Sequence, residues 1–138
     1  MRHPSRRRGE RGASVLEMAI IAPMLLTLIF MSIQTALFFF GRAAALNAAQ
    51  EGASELRQIQ PQVYSDGLAE RVRLNTETYA KRIAGNSLLN ARATYDYNAT
   101  TGIASMTVEG ETVSLVPGFT LTTKRTASGP IETFEADK

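Results

Sequence analysis

The feature that most constrains this chain is a run of 23 residues, Met18 to Phe40, without a charged side chain. As a helix rising about 1.5 Å per residue, the run is roughly 35 Å long, enough to cross a hydrocarbon core of about 30 Å. Its hydroxyl groups can bond to the helix's own carbonyls, and they belong to Thr27, Ser32 and Thr35. Gln34 is expected to face a protein neighbour rather than lipid. The sequence therefore predicts one transmembrane helix.

Charge is distributed unevenly around this run. Residues 1–12 carry five arginines and one glutamate, whereas residues 41–138 carry ten basic and eleven acidic side chains. Basic residues beside a membrane span stay on the cytoplasmic side, which predicts a single-pass protein of the cytoplasmic membrane with residues 41–138 outside. No basic face with interleaved aromatic residues follows, so nucleic acid is not an expected partner.

Three regions are expected along the chain. Residues 1–12 form a basic, disordered cytoplasmic leader, residues 13–59 a long helix with the span at about 18–40, and residues 60–138 an extracytoplasmic domain. The alanine-rich continuation of the helix favours helical structure, although Gly41 and Gly52 each cost about 1 kcal/mol relative to alanine. Pro23 should kink or loosen the span, and Pro61 should end the helix.

A second helix is predicted from Ser65 or Asp66 to Ile83, with one of these two polar residues as its N-cap and Gly85 as its stop. Apolar side chains recur along it at spacings of four, seven and four residues, which predicts a buried stripe. The residues of this stripe are Leu68, Val72, Tyr79 and Ile83.

The last third of the chain alternates apolar and polar residues with period two, which predicts a small antiparallel sheet of three or four strands packed on a helix. The inward residues would be Ala93, Tyr95, Tyr97, Ala104, Met106 and Val108, followed by Val113, Leu115, Phe119 and Leu121. Turns are expected at 98–102 and at Pro117-Gly118, and a bulge or turn at Gly110. The tail after Ser128 is expected to be loop, with Ile131 and Phe134 against the sheet. The predicted fold class is α+β.

One segment resembles a known family. It contains Arg11-Gly12-Ala13-Ser14-Val15-Leu16-Glu17, then Pro23, the apolar run, and Asn47-Ala48-Ala49-Gln50-Glu51-Gly52-Ala53. This pattern resembles the TadE-like family, the minor pilins or pseudopilins of tight-adherence (Flp-type) pili.

The resemblance implies processing by a prepilin peptidase. Cleavage would follow Gly12, Ala13 would become the new N-terminus, and Glu17 would be the fifth mature residue. The implied role is assembly of, or incorporation into, a tight-adherence pilus, with surface attachment, colonisation or DNA uptake as downstream uses. The implied partners are the prepilin peptidase, other pilins, the assembly platform of the membrane with its ATPase, and membrane lipid.

The position of Glu17 supports a role on physical grounds. An acidic side chain at the centre of a membrane helix costs about 2.5–3.5 kcal/mol, so a carboxylate there is paired, hydrated at the interface, or functional. Under the resemblance, Glu17 pairs with the amine of Ala13 in a neighbouring subunit and sets the axial register. The alternative is that Glu17 lies in the headgroup layer without a function.

Small residues continue in two lines beyond the span. Ala45, Ala49 and Ala53 form one line, and Ala44, Ala48 and Gly52 form the next. Small residues four apart let helices approach closely. The two lines are expected to pack either on a pilus subunit or assembly partner or on the protein's own sheet. Both alternatives remain open, and one line can do both at different positions.

Catalysis is not expected. The single histidine, His3, lies in the leader, and no combination of residues suggests a catalytic set, a metal site or a phosphate-binding loop. The chain has no cysteine, and no cofactor is expected.

Two other classes of protein fit the N-terminal half. One is a secreted protein cut by signal peptidase near Ala45, which would begin at Leu46, although the apolar run is longer than the usual 7–15 residues. The other is an uncleaved, membrane-anchored binding module, which would keep its leader.

Overall fold

The computed structural model describes residues 8–133, with side chains from residue 12 onward except that of Ala13. The elements are two helices, a short 3-10 turn at 85–87 and three strands, and the α+β class is confirmed. In chain order they are α1 (Arg8–Arg57), α2 (Asp66–Ala84), β1 (Leu88–Asn98), β2 (Ile103–Thr112) and β3 (Leu121–Pro130). Most of the predicted leader, residues 1–7, and Phe134 lie outside the described residues.

Helix α1 begins at Arg8, five residues before the predicted start, and ends at Arg57 rather than at residue 59. Residues 8–12 are therefore helical and not the disordered leader that was predicted. No proline interrupts them, and Arg and Glu are good helix formers, so the helix of the apolar run extends backward. The chain divides into two compact units, Met1–Thr35 and Ala36–Lys138, each described separately below.

Helix α2 begins as predicted and ends at Ala84, one residue beyond the predicted Ile83 and directly before the predicted stop, Gly85. Ser65 is the N-cap, and its side chain accepts a hydrogen bond from the Leu68 backbone N–H at 3.3 Å. Gly85 follows the last residue with a positive φ of 54°, and its N–H bonds to the Lys81 carbonyl. Glycine adopts this conformation without strain, which explains why the helix stops there.

The buried face of α2 differs from the predicted stripe. Leu68 is exposed, and Val72, Tyr79 and Ile83 are only partly buried against the core. The fully buried positions are those of smaller residues, Ala69, Thr76, Ala80 and Ala84. The positions of the large apolar side chains did not predict the buried face of α2. The helix lies close to the elements it packs on, and only small side chains fit at the centre of that contact.

The sheet is a three-stranded antiparallel meander in the order β1-β2-β3. The predicted inward residues of β1 and β2 are confirmed: Ala93, Ala104, Met106 and Val108 are buried, and Tyr95 and Tyr97 pack against the core. The other face carries polar side chains, including a Thr107–Thr126 hydroxyl pair at 2.7 Å.

Three details of the sheet differ from the prediction. Gly110 lies inside β2 opposite Thr123, and the irregularity lies in the neighbouring strand between Leu89 and Arg92. A methyl group at Gly110 would lie 2.8 Å from the Leu88 side chain. Glycine at this position therefore leaves space for Leu88 and does not itself form a bulge. β3 continues to Pro130, past the predicted start of the tail, and Ile131 is buried as predicted.

The third difference concerns the segment between β2 and β3. Val113, Leu115 and Phe119, which were expected to continue the strand pattern, lie in the connection between β2 and β3. The turns predicted at 98–102 and Pro117-Gly118 are both confirmed.

Ionic contacts on α2 join this helix to β1 within the second unit. Arg73 on α2 bonds to Glu70 and Glu77 and also donates to the Ala93 carbonyl of β1 at 3.3 Å. Glu77 accepts from the Ala93 N–H and pairs with Lys81 at 2.9 Å. These bonds lower the pKa of Glu77, with Lys81 as the largest cause.

After α1 the chain is fixed to the end of the sheet. The Tyr97 hydroxyl donates to the Ile59 carbonyl at 2.6 Å, and its ring stacks on Tyr64 with centroids 4.1 Å apart. The Glu132 N–H bonds to the Arg57 carbonyl at 2.9 Å. Both contacts place the C-terminal end of α1 beside Tyr97 of β1 and the end of β3.

Candidate functional site

The candidate site is α1, and its first part exposes its apolar side chains. Over residues 14–57 the most apolar 18-residue window has a mean hydropathy of 2.1, and none of that window is buried. Among residues 8–133, α1 is the one helix with the length and composition to cross a membrane. A helix that is apolar all round and uncovered by protein is typical of a membrane span.

The polar groups of this part are satisfied as predicted. The hydroxyls of Thr27, Ser32 and Thr35 each donate to the carbonyl four residues earlier, at 2.8 Å in all three cases. The acceptor for Thr27 is the carbonyl of Pro23, and the helix is continuous through that proline. Gln34 is partly buried. The internal hydroxyl bonds lower the cost of placing these residues in lipid.

The predicted processing site lies near the start of α1. Gly12 is exposed and helical, and open space surrounds the position that a side chain would occupy. The side chain of Ala13 lies outside the described residues, whereas Glu17 is exposed about one turn further along. Ala13 and Glu17 are four residues apart on one helix, the spacing of neighbours on a helix surface.

The lines of small residues lie in the second unit and are buried there. Ala45, Ala48 and Ala49 are completely buried, and Ala44 and Ala53 almost so. Gly52 lies against Thr76 of α2 and Met106 of β2, where a methyl group would lie 2.9 Å from the Met106 side chain. Of the two alternatives left open by the sequence, the structure shows packing on the protein's own domain.

At the start of the second unit, Gly41 also makes a close contact. A methyl group there would lie 2.7 Å from the Thr112 side chain and 2.9 Å from the Ser87 carbonyl. The glycines that weaken α1 as an isolated helix are therefore the points at which it meets the sheet and α2. Helix stability is exchanged for close packing at both positions.

Comparison with known families bears on this helix. A family model described as TadE-like protein matches residues 12–54. The N-terminal segment is TadE-like. The match begins at Gly12 and ends one residue after Ala53, so it covers the exposed apolar part of α1 and both buried lines of small residues.

The TadE-like match confirms the resemblance and indicates a protein associated with tight-adherence pili and their assembly machinery. The apolar helix indicates a membrane anchor. No curated protein and no solved structure matches the chain. Helix α2 and the sheet lie outside the matched range of the TadE-like segment.

One surface beside the TadE-like segment was not found from the sequence. A groove runs between α1 and α2, with Glu51 and Glu55 on one wall and Tyr79 and Arg82 on the other. The Arg82 guanidinium lies 5.6 Å from the centre of the Tyr79 ring. The i, i+4 spacing of the two glutamates was visible in the sequence, but the approach of α2 was not.

Proposed function

We propose that this protein is a minor pilin or pseudopilin of a tight-adherence pilus, matured by cleavage after Gly12. The observation that carries the proposal is the TadE-like match over residues 12–54, which starts at the proposed cleavage site. The exposed apolar helix supports it, since such a helix can exchange lipid contacts for contacts with other pilin helices during assembly. The proposal gives the chain no catalytic activity of its own.

Cleavage requires the start of α1 to unwind, because Gly12 is helical and a protease binds extended backbone. The first turns of a helix lack partners for their N–H groups and open at little cost. Glycine lowers that cost further, since it is a poor helix former and has no side chain to exclude from a narrow groove. After cleavage, Glu17 would lie close to the new N-terminus, where the helix dipole favours a negative charge.

In the assembled fibre, the proposed partner of Glu17 is the Ala13 amine of the neighbouring subunit. Burying one carboxylate and one ammonium together avoids two isolated charges in an apolar bundle. A subunit displaced along the fibre axis would leave both charges unpaired. The pair therefore favours one axial register.

The buried small residues argue against the secreted alternative. Cleavage near Ala45 would remove Gly41 and Ala44 from the folded domain, together with their contacts to the sheet and to Ser87. Signal peptidase would thus cut inside the packed core rather than before it.

The uncleaved membrane-anchored module is the second candidate, and one observation favours it. The helix runs from Arg8 through Gly12 without a break, so the uncut chain already has a continuous anchor. The two candidates differ in their mature N-terminus, which is Ala13 for the pilin and the original leader for the anchored module.

Mass spectrometry of the protein from its native host tests the proposal directly. We expect the N-terminal peptide to begin at Ala13, and a Gly12→Trp variant to accumulate at the precursor mass. Gly9→Trp is the matched control, because it places the same bulk in the leader but leaves Gly12 intact. Retention of the arginine-rich leader in the wild-type protein would contradict the proposal.

The role of Glu17 is tested separately from cleavage. Glu17→Ala should be processed normally but be depleted from sheared pili. Breaking a buried ion pair costs about 3 kcal/mol or more, so the depletion should reach about 100-fold. Glu17→Asp keeps the charge and is the control, expected to retain more incorporation than Glu17→Ala. Equal incorporation of wild type and Glu17→Ala would refute the registration role.

A further inference from the structure

The connection between β2 and β3, residues 113–120, carries an apolar surface that the proposed function does not use. Leu115, Val116 and Phe119 are 43, 55 and 64% exposed. They lie within twelve consecutive residues, 112–123, that contain no charged side chain. Single exposed apolar residues are ordinary, but three of them in one short uncharged connection indicate a contact surface.

The connection is ordered by its own hydrogen bonds. The Phe119 N–H bonds to the Val116 carbonyl at 3.2 Å, which closes a turn around Pro117 and Gly118. Gly118 has a φ of 80°, the conformation that glycine favours at the third position of a type II turn. The Ser114 hydroxyl bonds to the Val116 N–H at 3.1 Å. The turn therefore holds Val116 and Phe119 at its two ends.

Two contacts establish the direction in which this connection points within the second unit. Gly52 of α1 lies beside Met106, and Gly41 lies beside Thr112. β2 and α1 therefore run in opposite directions, so that the end of β2 at Thr112 lies beside Gly41 of α1. The connection leaves β2 just after Thr112, on the side of Gly41 where α1 carries Phe38, Phe39 and Phe40.

These phenylalanines are the last residues of the charge-free run, and Phe39 and Phe40 are more than half exposed. Arg42, separated from them by Gly41, is the first charged residue after the run and is exposed. An arginine near the end of a membrane helix extends its charged group to the level of the lipid headgroups. The opposite end of the sheet carries the polar turn Asn98-Ala99-Thr100-Thr101-Gly102 instead.

We propose that the 113–120 connection is a second membrane contact, which inserts Val116 and Phe119 into the interface of the leaflet that α1 leaves at Phe40. The inference rests on the membrane anchoring in the proposed function, but not on cleavage or pilus incorporation. A lipid surface is the occupant that the observations favour, because the apolar patch has no charge and leaves β2 at the end that lies beside Gly41, the residue after Phe40. Two attachment points would fix the tilt of the domain on the membrane before assembly.

Tryptophan fluorescence of the full chain in lipid vesicles tests this contact. The chain has no tryptophan, so a Phe119→Trp variant carries a single reporter. Val63→Trp is the matched control, since Val63 is 61% exposed and lies in the connection between α1 and α2, by the other end of the sheet. Flotation of the vesicles establishes anchoring, and near-ultraviolet circular dichroism of the tyrosines establishes that each variant is folded.

We expect blue-shifted emission from Phe119→Trp and quenching by lipids brominated near the headgroup that is several-fold stronger than for Val63→Trp. Val116→Trp is a second reporter and should give the same result if Phe119→Trp fails to fold. Water-like emission without bromolipid quenching would overturn the inference. Blue-shifted emission without quenching would also overturn it, in favour of a contact with a second protein chain. Equal quenching of both reporters would show that the whole domain touches lipid, which equally contradicts a specific contact.

Failure of the membrane anchoring itself gives a different result. A chain that does not float with the vesicles contradicts the proposed function as well as this inference. A chain that floats while the reporter at position 119 stays in water contradicts the loop contact alone.

Discussion

Replacement of Gly52 by alanine tests the packing that joins α1 to the rest of its domain. In an isolated helix this change would stabilise by about 1 kcal/mol. In the folded domain the added methyl group would overlap the Thr76 hydroxyl and lie 2.9 Å from the Met106 side chain. The sign of the effect therefore depends on whether these two neighbours can move.

Both neighbours are held in the core. Thr76 is 2% exposed, and its hydroxyl is bonded to the Val72 carbonyl at 2.8 Å. Met106 is completely buried. Inserting a methyl group into a well-packed core costs about 1–3 kcal/mol, and two fixed neighbours favour the upper part of that range. After subtraction of the helix gain, we expect Gly52→Ala to destabilise the domain by about 1–2 kcal/mol, which lowers Tm by roughly 5–10 °C.

The assay is thermal and urea unfolding of the full chain in mild detergent, followed by the near-ultraviolet circular dichroism of tyrosine. All four tyrosines lie in the second unit, so the signal reports on the packed domain and not on the apolar span. Gly67→Ala is the matched control, because Gly67 is a helical glycine of α2 with open space around it. It should leave stability unchanged or raise it by less than about 1 kcal/mol.

A second substitution tests whether the contact with Thr76 causes the destabilisation by Gly52→Ala. Thr76→Ala removes the group that the new methyl would meet, so the double variant should be more stable than the sum of the two single effects predicts. If Gly52→Ala is as stable as Gly67→Ala, or if the double variant shows no coupling, the close contact does not control the stability of this helix.

Three further predictions concern hydrogen bonds and charge. Since the folded state lowers the pKa of Glu77, the stability that this carboxylate contributes is present above its unfolded value of 4.5 and lost as the pH falls through the folded value. Glu77→Gln should lower the free energy of unfolding at pH 7 by about 1–2 kcal/mol and reduce its dependence on acid pH. Glu55→Gln, at an exposed glutamate, is the control. A urea midpoint unchanged by Glu77→Gln at pH 7 and at acid pH would contradict this. Tyr97→Phe removes the 2.6 Å bond to the Ile59 carbonyl and should cost about 1 kcal/mol in urea unfolding, whereas Tyr95→Phe is the comparison on the same strand. Burial, with Asp66 nearby, raises the pKa of Tyr64 to about 12, so its contribution is complete below pH 10 and lost as the pH rises toward 12. A Tyr64→Phe variant should lose less stability over that interval, and an ordinary alkaline titration of Tyr64 followed by ultraviolet absorbance would refute the shift.

The sequence alone determined the elements whose cause is local. The charge-free run predicts a membrane helix because length and hydropathy suffice for that conclusion, and the TadE-like motif lies in the same segment. Ser65 and Gly85 define α2 through the groups that they offer to unpaired backbone, and Pro117-Gly118 defines a turn. Period two identified the inward residues of β1 and β2, because successive strand side chains point to opposite faces.

Tertiary structure decided where the elements touch. The sequence showed two lines of small residues after the span, but their burial under α2 and the sheet depends on residues far along the chain, such as Thr76 and Met106. The same contact moved the buried face of α2 from its larger apolar residues to Ala69, Thr76 and Ala80, because close approach excludes large side chains. Gly110 gave a local signal for a bulge and instead makes room for Leu88. The position of the 113–120 connection beside Gly41 depends on strand pairing over a long sequence separation, which local propensity and periodicity do not encode.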